Sequence, residues 1–134
     1  MHWMLMPLRR YAEFTGRSRR KEYWMFVLLN ALIAAFVGLV TGIMAAAVQT
    51  ETQMMVVVNP LLILWTLASL AFAIPGIAVT IRRLHDTDRS GWSILYGLIP
   101  FIGGFILLYF YVQEGTPGPN RFGPDPKTEA GTFA

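Results

Sequence analysis

The chain has 134 residues, of which 54% are hydrophobic and only 14% charged, and its mean hydropathy is +0.48. An ordinary soluble domain carries roughly 25% charged residues, so a soluble globule is excluded, and the length suits a single membrane domain of three or four segments. Cysteine is absent, which rules out disulfides, thiolate metal sites and cysteine nucleophiles, and the formal charge of +3 is gathered mainly in two blocks, Arg9 to Lys21 and Arg82 to Arg89.

Residues 1–22 form a basic N-terminal region. On a helical wheel Trp3, Met4, Leu5, Leu8, Tyr11, Ala12 and Phe14 share one arc, and Arg9, Arg10, Glu13 and Arg17 share the other. Pro7 places the helix start near Met6 or Pro7, where a missing amide donor does no harm. An apolar face opposite a basic one suits an amphipathic helix lying in the headgroup region. Thr15 to Ser18 is a turn, with Ser18 positioned as N-cap of the next helix and Glu22 in its first turn. Tyr23-Trp24 is an aromatic pair of the kind found at headgroup level.

The first apolar segment covers 24–48, roughly 37 Å as a helix, enough to cross a core of about 30 Å with some tilt. It lies beyond a basic block and lacks a small-x-small cleavage site, so a cleavable signal peptide is not expected. Ala34, Gly38, Gly42 and Ala46 recur every fourth residue and form a smooth stripe for helix packing. Packing within the monomer is favoured over a homo-oligomer face. Gln49 to Gln53 is a polar loop without Lys or Arg. Asn59-Pro60 resembles an N-cap followed by proline at the first helical position, so the second segment is placed at 60–81, with an extension back through Met54 to Val58 left open. Pro75-Gly76 near its end should kink the helix or free a carbonyl. Trp65 is too deep for the interfacial belt and is expected to pack. Asn30, Thr41, Thr66, Ser69 and Thr80 are expected to bond between helices.

A charged link, Ile81 to Trp92, leads to the third segment, 92–112, which is broken at Pro100 and Gly103. Either it crosses once, the favoured reading, or it folds back at Ile99 to Gly104 as a helical hairpin. Residues 113–134 form a soluble tail so rich in proline and glycine that helix and central strand are forbidden. It is either an ordered, turn-rich loop or an extended tail, loose from Thr128 onward. The fold class is all-α: an integral membrane helical bundle with three main apolar segments and an interfacial N-terminal helix, forming one domain.

Sidedness follows from charge. The N-terminal block carries Arg9, Arg10, Arg17, Arg19, Arg20 and Lys21, the link carries Arg82, Arg83 and Arg89, and the first loop carries none. The positive-inside rule puts the N-terminus and the link in the cytoplasm.

Four blocks carry a family resemblance: Tyr11 to Trp24, Arg82 to Trp92, Ile99 to Gly103, and Gly115 to Pro126. In this order they resemble the family called domain of unknown function 805, small integral proteins of the bacterial inner membrane. The likeness spans nearly the whole chain. Asp88 departs from it, since many members carry a small residue there. The resemblance implies a helical membrane fold and an inner-membrane location, and it brings no activity, ligand or catalytic residue.

His85-Asp86 invites an acid–base reading, because a carboxylate orients an imidazole. Neighbours in a loop seldom face each other, and no nucleophile with a matching base is present. The expectation is therefore a non-enzymatic protein in which Asp86 and Asp88 neutralise arginines, cap the next helix and brace the link. With only His2 and His85 as imidazoles, neither a metal nor any other cofactor is expected. The candidate site is the cluster of Arg17, Arg19, Arg20, Arg82, Arg83, His85, Asp86 and Arg89. Its chemistry suits anionic lipid phosphates or a membrane-protein partner, not nucleic acid. The alternative is a small transport component, although no charged side chain lies within the apolar segments.

Overall fold

A computed structural model describes residues 2–129 of the chain; Thr132 and its neighbours, part of the stretch expected to be loose, lie outside the described residues. Helix α1 (His2–Arg9) is followed by turns and then by α2 (Arg20–Ala47). A three-residue connection leads to a continuous helix α3 (Glu51–Asp86). After it come a 3-10 segment (Gly91–Leu98), α4 (Gly103–Val112) and the short α5 (Pro126–Glu129). Among the described residues there is no strand, only an isolated pairing of Asn120 with Gly123.

Helix α1 starts at His2, earlier than Pro7 suggested, and holds Pro7 buried inside it. In so short a helix the proline removes one backbone bond, and packing against α2 and α3 offsets the loss. Ser18 does not cap α2. Its side chain is buried, and its amide donates to Arg82 O at 3.0 Å, which ties the turn before α2 to the end of α3. The α2 N-cap is Arg19, whose side chain makes no capping bond.

The loop between the long helices is shorter than Gln49 to Gln53. Thr50 Oγ1 accepts from Gln53 N at 3.3 Å and starts α3 at Glu51. Asn59 is therefore not an N-cap. Pro60 has no amide for the usual bond four residues back, and the helix passes it through a π turn at Met54–Val58, where Asn59 N reaches Met54 O. At the other end α3 continues five residues past Ile81. Arg82 to Asp86 are its last turns, not part of a loop.

Pro75 likewise sits inside α3 and leaves Ala71 O without its helical donor. Tyr11 Oη supplies one, donating to Ala71 O at 2.6 Å. Other polar side chains of the long helices turn back onto their own backbone: Asn30 to Phe26 O, Thr66 to Leu62 O, Ser69 to Thr66 O and Thr80 to Gly76 O. The interhelical bonds expected of these four residues are replaced by local ones, which compete well wherever the facing helix offers no polar group.

The core lies at one end. Tyr23, Phe26, Val79, Leu84, Phe110 and Tyr111 form it, with Leu8, Phe72 and Ile106 packed around them. Tyr23 thus turns inward onto Tyr111, ring centroids 4.8 Å apart, while Trp24 stays exposed. Away from that end α2 exposes Leu32, Phe36, Leu39 and Ile43, and α3 exposes Ile63, Leu64, Leu67 and Leu70. The stripe of Ala34, Gly38, Gly42 and Ala46 is exposed too, with nothing within 4 Å of a Cβ built at Gly38 or Gly42. Gly38 and Gly42 thus meet nothing among the described residues, whereas Ala34 borders a cleft facing Trp65, Ser69 and Phe72 of α3.

Segment 92–112 folds back. Its 3-10 arm and α4 pack on each other around a turn containing Pro100 and Phe101, and Phe101 takes a positive φ of 66°. Gly103 allows this, because a Cβ there would run into Tyr96 O. The chain returns to the end of α3 from which it left, so the favoured single crossing gives way to the hairpin. Each arm is roughly 15 Å long, about half of a bilayer core.

Candidate functional site

The site grows out of the last turn of α3. Arg83 and Asp86 are one helical turn apart, so their side chains meet, Nη1 to Oδ2 at 2.5 Å. Arg17, carried in by the Gly16 turn with its φ of 79°, reaches the other carboxylate oxygen, Nη2 to Oδ1 at 3.0 Å. One aspartate thus lies between two guanidinium groups, and all three residues are buried. The excess positive charge is spread over backbone carbonyls of the tail. Arg17 donates to Thr116 O and Gly118 O, each at 2.6 Å. Arg83 donates to Tyr111 O at 3.1 Å and to Gln113 O.

These bonds fasten the tail down. Thr116 N donates back to Asp86 O at 2.8 Å, and Asn120 Nδ2 donates to His85 O at 2.9 Å. The His85 ring stacks on Phe122 at 3.9 Å between centroids and 3° between planes, while its Nδ1 faces Gly16 O at 3.1 Å. Gly115 lies so close to Asp86 that a Cβ would fall on the carboxylate. Asp125 accepts from Lys127 N at 2.8 Å and Gly118 N at 3.0 Å, and these donors, the Lys127 amide foremost, hold its carboxyl below the ordinary range. Residues 113–125 are therefore an ordered strap across the end of α3, the turn-rich form of the two expected.

A second buried pair lies beside the first. Arg82 Nη2 is 3.2 Å from Glu22 Oε1, and both residues are inaccessible. Among the described residues no hydrogen bond is aligned on the Arg82 guanidinium, on Glu22 Oε1 or on Ser18 Oγ, so the pair is held by charge. At the rim Arg20 pairs with Glu114 at 2.5 Å, and Arg89 lies over the Phe110 ring at 3.9 Å. Glu13 takes two bonds from Arg10, which hold its carboxyl below the usual range.

The sequence cluster thus divides in two. Arg17, Arg82, Arg83, His85 and Asp86 are inside, occupied by carboxylates, carbonyls and an aromatic ring, and are not presented to lipid or partner. The reason is the length of α3: once it runs to Asp86, these side chains point into the head rather than out of a loop. His85 and Asp86 make no bond to each other, so the geometry offers no acid–base dyad. Ser90, not an aspartate, caps the next segment, its Oγ accepting from Trp92 N at 3.4 Å. Arg9, Arg20 and Lys21 are exposed and Arg19 is half-buried, with Arg19 and Lys21 lying over the Trp3 ring at 5.3 and 5.5 Å. Glu22, Tyr111, Gln113 and Phe122 were missed as partners, since no local periodicity links positions so far apart; only the family-like blocks at both ends marked that region.

Two long apolar helices rising from a charged, strapped head define a small helical membrane protein. The chain belongs to the family described as "Protein of unknown function (DUF805)", whose model matches residues 11–124. It is 46% identical over 129 residues to the Inner membrane protein YhaH of Escherichia coli (strain K12), covering 96% of this chain and 99% of that one. Against the Inner membrane protein YhaI of the same strain it is 44% identical over 128 residues, covering 95% and 97%. No solved structure matches the chain. The family and these relatives agree with the apolar helices on an inner-membrane protein.

Proposed function

We propose that the protein is a non-enzymatic, multi-pass component of the inner membrane that holds anionic lipid against a basic cytoplasmic face. In this reading α2 and α3 cross the bilayer and the 3-10 arm and α4 dip into it from the cytoplasmic side. The N-terminal helix and the strap both lie on the cytoplasmic side, as the excess of Lys and Arg at the head favours. The observation that carries it is the outer ring of the head. Exposed Arg9, Arg20 and Lys21 and half-buried Arg19 lie near exposed Leu5, Tyr11, Phe14 and Trp24, which suits headgroup phosphates above and acyl chains below. The buried arginines support this ring by fixing the strap and the N-terminal turn.

The test is native mass spectrometry of the purified full chain from mixed anionic and zwitterionic nanodiscs. The wild type should retain anionic phospholipid in severalfold excess over its share of the disc. The triple variant Arg9→Gln, Arg19→Gln, Lys21→Gln should lose most of that excess while inserting normally. Equal retention by the variant would overturn the reading. Transport finds less support, because no Asp, Glu, Lys or Arg lies between Tyr23 and Val48 or between Met54 and Ile81.

A further inference from the structure

Among the described residues the molecule is thicker at one end than at the other. The 3-10 arm packs on α3 and on α4, and α1 packs on α2 and α3. They flank the last part of α3. A Cβ at Gly91 would meet Ile81 and His85, Ile94 lies against the cluster that holds Val79 and Leu84, and Tyr11 donates to Ala71 O at 2.6 Å. Nearer Glu51, α3 exposes Ile63, Leu64, Leu67 and Leu70, and the facing stretch of α2 exposes Leu32, Phe36, Leu39 and Ile43.

Tyr11 sets the depth. It belongs to the amphipathic N-terminal segment, which lies at the headgroups and reaches down to Ala71 O. Residues 71–81 of α3, roughly 15 Å of helix, therefore belong to the cytoplasmic leaflet, half of a core about 30 Å thick. The hairpin meets α3 at and beyond Val79, and each of its arms is about as long as that leaflet is deep.

The hairpin suits hydrocarbon. Residues 91–112 include no Asp, Glu, Lys, Arg or His, and Leu98, Phe101 and Phe105 around its turn are 78%, 95% and 74% exposed. No face of α4 carries a charge, so it matches lipid and gives a protein partner no polar rim to recognise. Phe101 holds its left-handed φ of 66°, a conformation that glycine adopts without strain, yet its ring buries almost nothing in the protein. What offsets the strain lies outside the chain, in the transfer of that ring from water to hydrocarbon. At the base Arg89 Nη2 donates to Gln113 Oε1 at 3.3 Å, so both arms start from polar residues.

We propose that the hairpin is a wedge in the cytoplasmic leaflet and that the protein prefers membrane convex toward the cytoplasm. Two segments, each about 10 Å across, add their cross-section to that leaflet, while α2 and α3 alone cross the other. The partner is the lipid of one leaflet, more loosely packed where the bilayer bends, a surface to which interfacial apolar segments bind preferentially. The wedge rests on the placement of α2 and α3 across the membrane, and not on the choice of anionic lipid.

The test uses the full chain with a dye on Ala134→Cys, in giant vesicles of phosphatidylethanolamine and phosphatidylglycerol from which thin membrane tethers are drawn. External trypsin, which cuts after Lys127, releases the dye only where the head faces outward. Outward-facing protein should be enriched severalfold on the tether relative to a lipid dye, and inward-facing protein should be depleted. Leu98→Ser, Phe101→Ser and Phe105→Ser together change exposed side chains only, and should remove most of that enrichment. Phe101→Leu with Phe105→Leu should retain it. Equal density on tether and vesicle in both orientations would overturn the proposal, as would full enrichment of the triple serine variant. Quantitative disulfide linkage of Phe101→Cys would put a second copy on the hairpin and overturn it too. Lipids brominated at mid-chain separate the premises, with Trp3→Phe, Trp24→Phe and Trp92→Phe leaving Trp65 as sole tryptophan. If they fail to quench Trp65, the transmembrane placement falls and the wedge with it; quenching without sorting defeats the wedge alone.

Discussion

At the scale of single residues, Asp88 shows how a helix ending dictates backbone geometry. Helix α3 ends with Asp88 N on His85 O and Arg89 N on Leu84 O, both at 3.0 Å, the paired bonds of a Schellman ending. The residue between them must enter the left-handed region, and Asp88 does so with φ 56°. Glycine or another small residue suits that position, and aspartate is among the few others that tolerate it. Its exposed pairing with Arg121 at 3.3 Å contributes little. Asp88→Gly should therefore leave thermal stability unchanged or slightly raised. Asp88→Val should lose roughly 1–2 kcal/mol, the cost of forcing a β-branched residue left-handed. Thermal unfolding in one detergent would check both, and equal midpoints for the two variants would contradict the strain argument.

At the scale of elements, a side-chain bond from the N-terminal segment answers a backbone carbonyl that a proline leaves open in α3. Pro75 frees Ala71 O, and Tyr11 reaches that carbonyl because Pro7 and the turn after Arg9 bring it there. Tyr11→Phe should cost roughly 1–2 kcal/mol, since the carbonyl freed by Pro75 then has no protein donor. Adding Pro75→Ala restores the helix's own donor, so the cost of Tyr11→Phe should fall close to zero in that background. A double-mutant cycle from chemical unfolding measures this coupling, and additivity of the two changes would show that the bond contributes nothing. That a proline inside an apolar run releases a carbonyl is legible in sequence; which side chain answers it is not. The same limit explains the misplaced ends of α3. Asn59-Pro60 has the composition of a helix start, but a π turn absorbs the proline. Arg82 to Asp86 have the composition of a link, but carboxylates and tail carbonyls make it possible for them to stay helical and buried. Local signals located the apolar segments, and partners far along the chain decided where the helices stop.

At the scale of the whole molecule, the buried charges act as the joint that brings three distant stretches together. Arg17 comes from the N-terminal turn, Arg83 and Asp86 from α3, and the carbonyls of Tyr111, Gln113, Thr116 and Gly118 from the strap. Asp86 is the single carboxylate between two guanidinium groups, so its removal leaves two buried cations with carbonyl partners alone. Breaking such a cluster from the side of the lone counter-charge costs about 3–5 kcal/mol, whereas losing an exposed pair costs about 0–1 kcal/mol. Asp86→Ala should therefore destabilise the head by the larger amount and release the strap, seen as faster tryptic cleavage after Arg121 in the purified protein. Glu114→Ala, which removes only the exposed partner of Arg20, should leave both stability and cleavage close to wild type. If the two variants were cleaved at the same rate, the strap would be held by its own turns and by the stack of Phe122 on His85, and the arginines would have no part in closing the head. The expected ordering instead makes the arginine cluster the reason that the N-terminal turn and the strap meet at the end of α3, the arrangement that the proposed basic face requires.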